Sequence, residues 1–399
     1  MERQRDASTN RKSYRRPMDD EHPEDNVLAD TDYAVEAMEY LRDSSAGKAK
    51  IAPIVEVERP LNEQRWFCGL RWPEKIREDR TMGSNGNSTH SWTTTEDFHM
   101  FSAYLDERPN SLYPKNKALQ VLAMKFRFPA STVYCNLFTR SHKTVVEATV
   151  REIWQRAWDP RGNFILPLLI TCPIPRWMEE DKDSLSIQVT KQRCKSHQEA
   201  LRVTVPKHRV PKAKVAVCVK GMDFQEDISL QLIEWVEAQF LFGADTISIY
   251  AYTVPPRVRR VLESYAKQGK IELTFIDLPG DDQPHIPIVR SAYIKRNRQQ
   301  KRRHELIPYN DCLYWHLNSH EYVLIVDTDE LVMPLRHRNW KALLEEVENN
   351  DPDRKMSSIS IRNVFKFPHN TTRMASEEGI GRKSLNFQNS TYANASPSL

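Results

Sequence analysis

Apolar runs and amphipathic segments alternate along the second half of the chain. Residues 215–219 are all apolar, as in a strand that is buried on both faces of a parallel sheet. Further apolar-rich runs are found at 246–252, 270–278 and 322–326. Because amphipathic segments separate these runs, strand alternates with helix, which is typical of an α/β fold. The pattern predicts a doubly wound sheet from residue 214 onward.

The segments between the runs carry helix signals. The first predicted helix has an apolar face and ends at Gly243, a typical C-cap residue. Its apolar face consists of Ile228, Leu232, Trp235, Val236 and Phe240. Asp223 and Glu226, three residues apart, predict a capping box at its start. A second helix is predicted over 255–269 and another over 340–347.

Residues 51–205 follow a different pattern, in which Pro, Asn and Ser interrupt short apolar runs. Strands are predicted at 98–104, 119–128, 131–138 and 144–154. The polar, lysine-rich stretch 179–213 predicts an edge strand followed by a linker. Residues 1–50 are charged and aperiodic, which predicts disorder. The predicted organisation is a disordered segment (1–50), a β-rich domain (51–205) and an α/β domain (206–399).

Composition excludes several common classes of function. The 399 residues include only 11 glycines, and the chain contains neither G-x-G-x-x-G nor G-x-x-x-x-G-K-[ST]. The signatures of dinucleotide and P-loop phosphate binding are therefore absent. G-x-S-x-G and H-E-x-x-H are absent too. No run approaches the roughly 18 apolar residues of a membrane span, and no apolar signal-peptide core follows Met1.

Cysteines and glycosylation sequons favour the secretory pathway over the cytosol. The six cysteines are Cys68, Cys135, Cys172, Cys194, Cys218 and Cys312, with no C-x-x-C pair. The N-x-[ST] sequons begin at Asn87, Asn370, Asn389 and Asn394. Reduced buried thiols and unused sequons are the alternative. The spacing of the cysteines does not define their pairing.

The clearest candidate for chemistry is the Asp-x-Asp motif formed by Asp327 and Asp329, which follows the apolar run 322–326. Ligands of open α/β sheets bind outside the carboxyl ends of the strands. Strand alternation would put Asp327 and Asp329 on one side and direct Glu330 away. Two carboxylates there suit Mg²⁺ or Mn²⁺, bound together with substrate phosphates. The alternative is a strand that simply ends in a solvated acidic turn.

Two other segments could contribute to a site. The basic run 290–304 predicts either a solvated surface or a positive rim that attracts a nucleotide diphosphate or a charged acceptor. Nucleic-acid binding through this run is a further alternative, but it needs interleaved aromatic residues, and only Tyr293 lies nearby. On a predicted helix, Asp311 and His316 could approach a ligand; equally, Asp311 could cap the helix while Cys312 lies in the core.

Five segments, in order along the chain, resemble glycosyltransferase family 92. They are residues 102–108, 218–220, 232–250, 308–313 and 326–330 with Pro334. The resemblance spans roughly residues 95–385. It implies a GT-A-like doubly wound mixed sheet, a UDP-sugar donor and a divalent cation, Mn²⁺ or Mg²⁺. It also implies inverting transfer of a hexose, galactose in the best-known type, to a hydroxyl of a glycan or glycoprotein.

The resemblance also assigns roles by position. The implied metal ligands are Asp327, Asp329 and Glu330. The implied donor-binding residues are Cys218, Val219, Lys220, Tyr250 and Asp327. An inverting base is expected beyond residue 399, with Asp311 as the weaker candidate within the chain. The family implies a Golgi membrane protein whose luminal domain carries the activity, and its anchor and C-terminal part are expected to be missing from this chain. The alternative is a non-catalytic relative that binds a glycan or a protein.

Overall fold

The computed structural model describes residues 69–84, 86–108, 117–205, 208–280, 286–350, 358–359, 361 and 392–393. The fold is a mixed α/β arrangement that contains several sheets. The disorder predicted for residues 1–50 lies outside the described residues. Among the helices that are described, none is long and apolar enough to cross a membrane.

Strands outnumber helices in the described part of the chain. The strands are β1 (Lys75–Arg77), β2 (Arg80–Met82), β3 (Asn87–His90), β4 (Thr93–Thr95), β5 (Phe98–Asp106), β6 (Ala118–Phe126), β7 (Tyr134–Phe138), β8 (Lys143–Glu147), β9 (Thr149–Glu152), β10 (Ile165–Pro173), β11 (Ser186–Thr190), β12 (Glu199–Arg202), β13 (Ala213–Asp223), β14 (Thr246–Thr253), β15 (Ile271–Phe275), β16 (His320–Ile325), β17 (Met333–Pro334) and β18 (Tyr392–Ala393). The helices are α1 (Ser229–Phe242), α2 (Pro256–Lys267), α3 (Pro287–Arg296), α4 (Arg298–His316) and α5 (Trp340–Asn350), and a 3₁₀ helix spans Arg176–Ser184.

The N-terminal part of the described chain is mainly a sandwich of two five-stranded sheets. Their strand orders are β1-β12-β11-β7-β8 and β4-β5-β6-β10-β9. Apart from the parallel pair of β1 and β12, neighbouring strands are antiparallel. Apolar side chains of the two inner faces form one core. The disulfide between Cys135 and Cys172 joins β7 to β10 across that core.

The prediction of a single strand at 144–154 is wrong in detail, because the structure has two strands there. β8 pairs with β7 in one sheet, and β9 pairs with β10 in the other. Between them, the N–H of Ala148 donates a hydrogen bond of 2.9 Å to the carbonyl of Val133. The chain therefore passes from one sheet of the sandwich to the other at Ala148.

The stretch 179–213, predicted as an edge strand and a linker, instead contributes β11 to the middle of a sheet. The buried polar side chains of Gln188 and Thr190 find hydrogen-bond partners there. The side-chain amide of Gln188 donates to the carbonyls of His197 at 2.7 Å and Glu199 at 3.0 Å. Polar composition therefore did not indicate exposure in this strand.

A six-stranded sheet forms the centre of the α/β region, with the order β16-β13-β14-β15-β3-β2. The neighbouring pairs from β16 to β3 are parallel, and β2 is antiparallel to β3. Side chains of β13 enter two cores, since Val217 packs with α1, α2 and α5 while Cys218 packs with α4 and the sandwich. Both faces of this strand are thus covered, as its unbroken apolar sequence predicts. Because β2 and β3 come from the N-terminal part of the chain, the division at residue 205 stays a prediction.

The capping box predicted at Asp223 and Glu226 is wrong. Asp223 is the last residue of β13, because a bulge lets this strand pair with β14 as far as Thr253. Helix α1 begins at Ser229 without a side-chain cap. Its predicted end is confirmed, because Gly243 has a φ of 114° and its N–H donates to the carbonyls at the end of the helix.

Buried neutral histidines should make the protein sensitive to acid. Burial lowers the pKa of His90 to about 4, although its Nε2–H donates a hydrogen bond of 2.7 Å to the carbonyl of Phe101. Between pH 6.5 and 4 only the unfolded state takes up this proton, so stability is lost as the pH falls through that window. The contribution of His90 is about 3 kcal/mol. Burial lowers the pKa values of His304, His316 and His320 in the same direction.

Thermal melting of the full chain across this pH range tests the prediction. The melting temperature should drop between pH 6.5 and 4, and His90→Gln should make that drop smaller. His208→Gln is the matched control, because the His208 side chain is 61% exposed. An unchanged pH dependence in His90→Gln would contradict the burial argument.

Candidate functional site

The strand order creates a crevice between β13 and β16. Within the sheet, β14 and β15 follow on one side of β13, whereas the later strand β16 lies on the other side of β13. Such a reversal of strand order opens a crevice at the carboxyl ends of the strands, where ligands of α/β proteins bind. Lys220 near the end of β13 and Asp327 just after β16 meet there. Their Nζ and Oδ2 atoms are 2.7 Å apart.

A bulge in β13 directs Lys220 toward the crevice. The pairing of β13 with β14 shifts register between Val219 and Met222, which brackets Lys220 and Gly221. A side chain at Gly221 would collide with the ring of Tyr252, so glycine allows the close approach of strand and ring. Bulges re-aim side chains next to functional sites. The ordinary alternation of a strand would not have indicated the direction of Lys220.

The acidic motif forms a hydrogen-bonded turn and not a continuation of β16. The N–H of Glu330 donates to the carbonyl of Asp327 at 3.1 Å, and a Glu330 carboxylate oxygen accepts the N–H of Asp327 at 3.0 Å. The indole N–H of Trp235 donates to the carbonyl of Glu330 at 2.7 Å. Because β16 ends at Ile325, strand alternation does not apply to this motif, and the prediction that Glu330 points away from Asp327 is wrong. Glu330 folds back on the turn, and Asp329 is exposed.

Helix α4 brings two further residues to the crevice that sequence reasoning missed. Glu305 lies 3.8 Å from the Lys220 ammonium, and the hydroxyl of Tyr309 donates to Asp327 at 3.2 Å. Residues four apart share a helix face, so Glu305 and Tyr309 point the same way. That spacing was the available signal, but Glu305 stands directly after the basic run 290–304. We call the network of these four side chains (Lys220, Glu305, Tyr309 and Asp327) the crevice network.

The charges of the crevice network perturb its pKa values. Burial lowers the pKa of Lys220, but the carboxylates of Glu305 and Asp327 outweigh burial and the net pKa is raised. Lys220 therefore stays protonated at neutral pH. Burial, together with the charge of Asp327, raises the pKa of Glu330 to about 6. Burial and Asp327 also raise the pKa of Tyr309 well above its ordinary value.

The donor set at this crevice suits a cation held jointly with a phosphate. Within the described part of the chain, no group of three or more His, Cys, Asp or Glu side chains converges on a metal position. Mg²⁺ and Mn²⁺ at phosphate sites commonly need only one or two protein carboxylates. Asp327, which is 31% exposed, and the exposed Asp329 can supply these carboxylates. Glu330 lies partly buried near the negative charges of both residues, and this concentration of negative charge favours a cation nearby.

Three predicted donor-binding residues lie away from the crevice surface. Cys218 is buried and forms a disulfide with Cys312 of α4. Val219 is 2% exposed and packs in the core beside α1. Tyr250 is 1% exposed. Of the five predicted donor-binding residues, the structure therefore brings together Lys220 and Asp327, while the other three lie in the packing beneath them.

Asp311 lies at the centre of a buried polar cluster. Its carboxylate accepts hydrogen bonds from the hydroxyls of Tyr104 at 2.7 Å and Tyr250 at 2.6 Å, and it forms an ion pair with Arg80. The guanidinium of Arg80 also lies 4.3 Å from the Trp315 ring centre. Asp311 is fully buried in the interior of α4, so it does not cap the helix. The cluster joins β2, β5, β14 and α4, and this geometry favours a structural role for Asp311.

The basic run is only partly a solvated surface. Arg290 is 5% exposed and paired with Asp277, and Arg303 is fully buried beside Asp159. His316, 2% exposed, is hydrogen-bonded to Ser248 at 2.7 Å. Arg290 and Arg303 of the basic run, and the separate candidate His316, therefore contribute to packing.

Two observations bear on the compartment. Cys135–Cys172 and Cys218–Cys312 are disulfides, and Cys194 is disulfide-bonded as well. Asn87 is 9% exposed within β3, where its side chain donates to Glu263 at 3.4 Å. A glycan at Asn87 would disrupt this packing. The other three sequons lie outside the described residues.

Residues 213–393 match the family model of glycosyltransferase family 92. This part of the chain belongs to glycosyltransferase family 92. No curated protein and no solved structure matches the chain. The matched segment contains all four residues of the crevice network. Family membership makes it a glycosyltransferase domain, and members of such a family use a nucleotide-sugar donor and a glycan acceptor.

Proposed function

We propose that the family 92 domain transfers galactose from UDP-galactose to a hydroxyl group of a glycan, with inversion and with Mn²⁺ or Mg²⁺ as cofactor. The observation that carries this proposal is the pairing of Lys220 with Asp327 at the reversal of strand order. A cation and a carboxylate at the carboxyl edge of parallel strands suit the recognition of a metal-bound diphosphate. The same topology supports a GT-A-like fold.

Each residue of the crevice network has a part in this proposal. Lys220 keeps its proton and presents a positive charge to the diphosphate. Asp327 and Asp329 would hold the metal, which when bound supplies Lewis-acid stabilisation of the leaving diphosphate. Glu305 and Tyr309 orient Lys220 and Asp327 through the contacts of 3.8 Å and 3.2 Å. Cys218 and Val219 support the strand end where the base and ribose would lie.

An inverting transfer also needs a base to accept the proton of the attacking hydroxyl. Asp311 is buried and has three partners on its carboxylate, so we assign it to positioning α4 and not to proton transfer. The expectation that the base belongs to a segment beyond residue 399 stays a prediction.

We also propose that the domain acts in the Golgi lumen, at the membrane. The disulfides support an oxidising compartment. Asn87 does not support it, because this sequon is buried.

A comparison of binding affinities among nucleotide sugars tests the proposed donor. UDP-galactose, UDP-glucose, GDP-mannose and CMP-sialic acid are titrated into the full chain with Mn²⁺ present. The proposal predicts that both UDP-sugars bind and that UDP-galactose binds most tightly. Tighter binding of GDP-mannose or CMP-sialic acid would contradict the proposed donor.

A second candidate function is that of a non-catalytic relative that binds a glycan or a protein. The same ion pair can also be taken in its favour, because an Asp327 carboxylate that Lys220 already neutralises attracts a metal cation less strongly. It predicts partner binding that neither EDTA nor Asp327→Ala changes, whereas the enzymatic proposal predicts metal-dependent donor binding.

A further inference from the structure

A cavity of about 650 Å³ opens on the β-sandwich, on the side of the N-terminal end of α4. Its lining includes three arginines and no acidic residue. The side chains that define it are Arg127, Phe128, Arg156, Arg161, Asn163 and Phe164. It lies between the end of β6 and the loop that joins β9 to β10. The cavity is widely open to solvent, so a ligand of one or two sugar residues would lie in it with one face exposed.

The arginines face solvent while their acidic partners lie beneath them. Arg156 pairs with Glu152 at 2.7 Å, and Arg161 pairs with Asp159 at 2.7 Å. The arginine side chains are 52% and 62% exposed, whereas the carboxylates are 10% and 6% exposed. A ligand would therefore meet guanidinium groups, and the buried carboxylates would hold them in place.

Arg127 adds a third positive charge to the cavity, and the neutral side chain of Asn163 orients its guanidinium. Its guanidinium donates through Nε at 2.9 Å and Nη2 at 2.6 Å to the side-chain oxygen of Asn163. Among the described residues, no carboxylate lies within ion-pair distance of Arg127. Its φ of 62° is in the left-handed region, which is uncommon for a residue other than glycine. Such strained backbone is concentrated at binding sites.

A buried arginine fixes the loop behind the cavity. Arg303 of α4 is fully buried and lies 3.3 Å from Asp159. Its guanidinium stacks 3.9 Å from the centre of the Phe164 ring. The loop that carries Arg161 and Asn163 is thus held rigidly, which lowers the entropy cost of binding.

We propose that this cavity binds a saccharide that carries a sulfate or carboxylate group. Guanidinium groups recognise such groups through paired hydrogen bonds, and the half-exposed Phe128 offers an apolar face beside them. Arg303 and Tyr309, on the same helix, are about 9 Å apart along its axis. Helix α4 therefore connects this cavity to the crevice network. If the proposed function holds, the bound saccharide would be part of the glycan acceptor. The binding of an acidic saccharide does not itself depend on the proposed function.

Fluorescence anisotropy with labelled oligosaccharides tests the proposal at about 150 mM salt, where long-range charge effects are screened. The probes are a keratan-sulfate octasaccharide, which carries sulfate but no carboxylate, an oligosialic acid, which carries carboxylate but no sulfate, and a neutral chitooligosaccharide. The two acidic arms separate recognition of sulfate from that of carboxylate. Binding of at least one acidic probe, but not of the neutral one, is expected. Equal binding of the neutral probe, or no binding of either acidic probe, would overturn the proposal.

Two double variants of equal charge locate the site. Arg127→Asn with Arg156→Gln should weaken acidic-probe binding at least about tenfold, because two charged hydrogen-bond donors are lost. Asn tolerates the left-handed backbone at position 127. The control, Arg176→Gln with Arg193→Gln, removes two exposed charges elsewhere on the sandwich. The cavity lies at the N-terminal end of β10, and Arg176 follows the C-terminal end of this strand, which is about 27 Å away from the N-terminal end. An equal loss in both variants would overturn the proposal.

Two further measurements separate this proposal from others. A single-stranded oligonucleotide of matched charge should bind more weakly than the acidic saccharide, and equal affinity would mean a general polyanion surface and contradict the proposal. UDP binding in the presence of Mn²⁺ should be the same in both double variants. If UDP fails to bind the wild-type protein while the acidic saccharide binds, the proposed donor function fails and this site stands.

Discussion

Replacing Asp311 by asparagine should lower the free energy of unfolding by about 3–5 kcal/mol. The change removes the negative charge that faces Arg80, whose side chain is 11% exposed, and leaves that guanidinium buried without its ion-pair partner. Hydrogen bonds from Tyr104 and Tyr250 to the carboxylate are weakened at the same time. Urea denaturation of the full chain, followed by circular dichroism, measures the loss.

The control for this prediction is Glu78→Gln. Glu78 is 60% exposed and pairs with Arg202 at 3.2 Å, so its change should cost no more than about 1 kcal/mol. Replacing Arg80 by Met together with Asp311→Leu should recover part of the stability, because no charge is then left buried alone. A loss in Asp311→Asn as small as that in Glu78→Gln would contradict the structural role of Asp311.

The second large effect is expected at Asp327. Asp327→Asn should weaken Mn²⁺-dependent binding of UDP at least about 30-fold, corresponding to ~2 kcal/mol. The change removes a metal ligand in our proposal and leaves Lys220 with Glu305 as its carboxylate partner. Isothermal titration calorimetry on the full chain measures the affinity, and thermal melting verifies that the variant folds.

Glu321→Gln is the matched control, since it removes the same charge from the opposite end of β16. Glu321 pairs with Lys214, which retains Glu348 as a second partner. UDP affinity should be unchanged in this variant. If Asp327→Asn binds UDP and Mn²⁺ as tightly as Glu321→Gln does, the crevice is not the donor site.

Most of the α/β region was predictable because the signal lay in each segment itself. The unbroken apolar run 215–219 indicates a strand covered on both faces, and Val217 and Cys218 do enter different cores. Gly243 marked the end of α1 because a positive φ favours glycine. The contribution of β2 and β3 to the same sheet depends on packing between distant segments, which no local pattern carries.

The candidate site was predictable only in part. Asp327 could be found because an acidic motif after an apolar run marks the carboxyl end of a strand. Tyr250 also lies near a strand end, but local sequence does not tell which face of the strand is open to the crevice. Glu305 and Tyr309 depend on how α4 packs across the sheet, and the direction of Lys220 depends on a bulge. These features follow from tertiary structure.

The measurement that tests the central claim most directly is calorimetric titration of UDP into the full, demonstrably folded chain, first with Mn²⁺ and then with excess EDTA. We expect UDP to bind when Mn²⁺ is present and binding to be lost when EDTA removes the metal. UDP binding that EDTA leaves unchanged, or no binding by the folded protein in Mn²⁺, would contradict a metal-dependent donor site formed by Lys220 and Asp327.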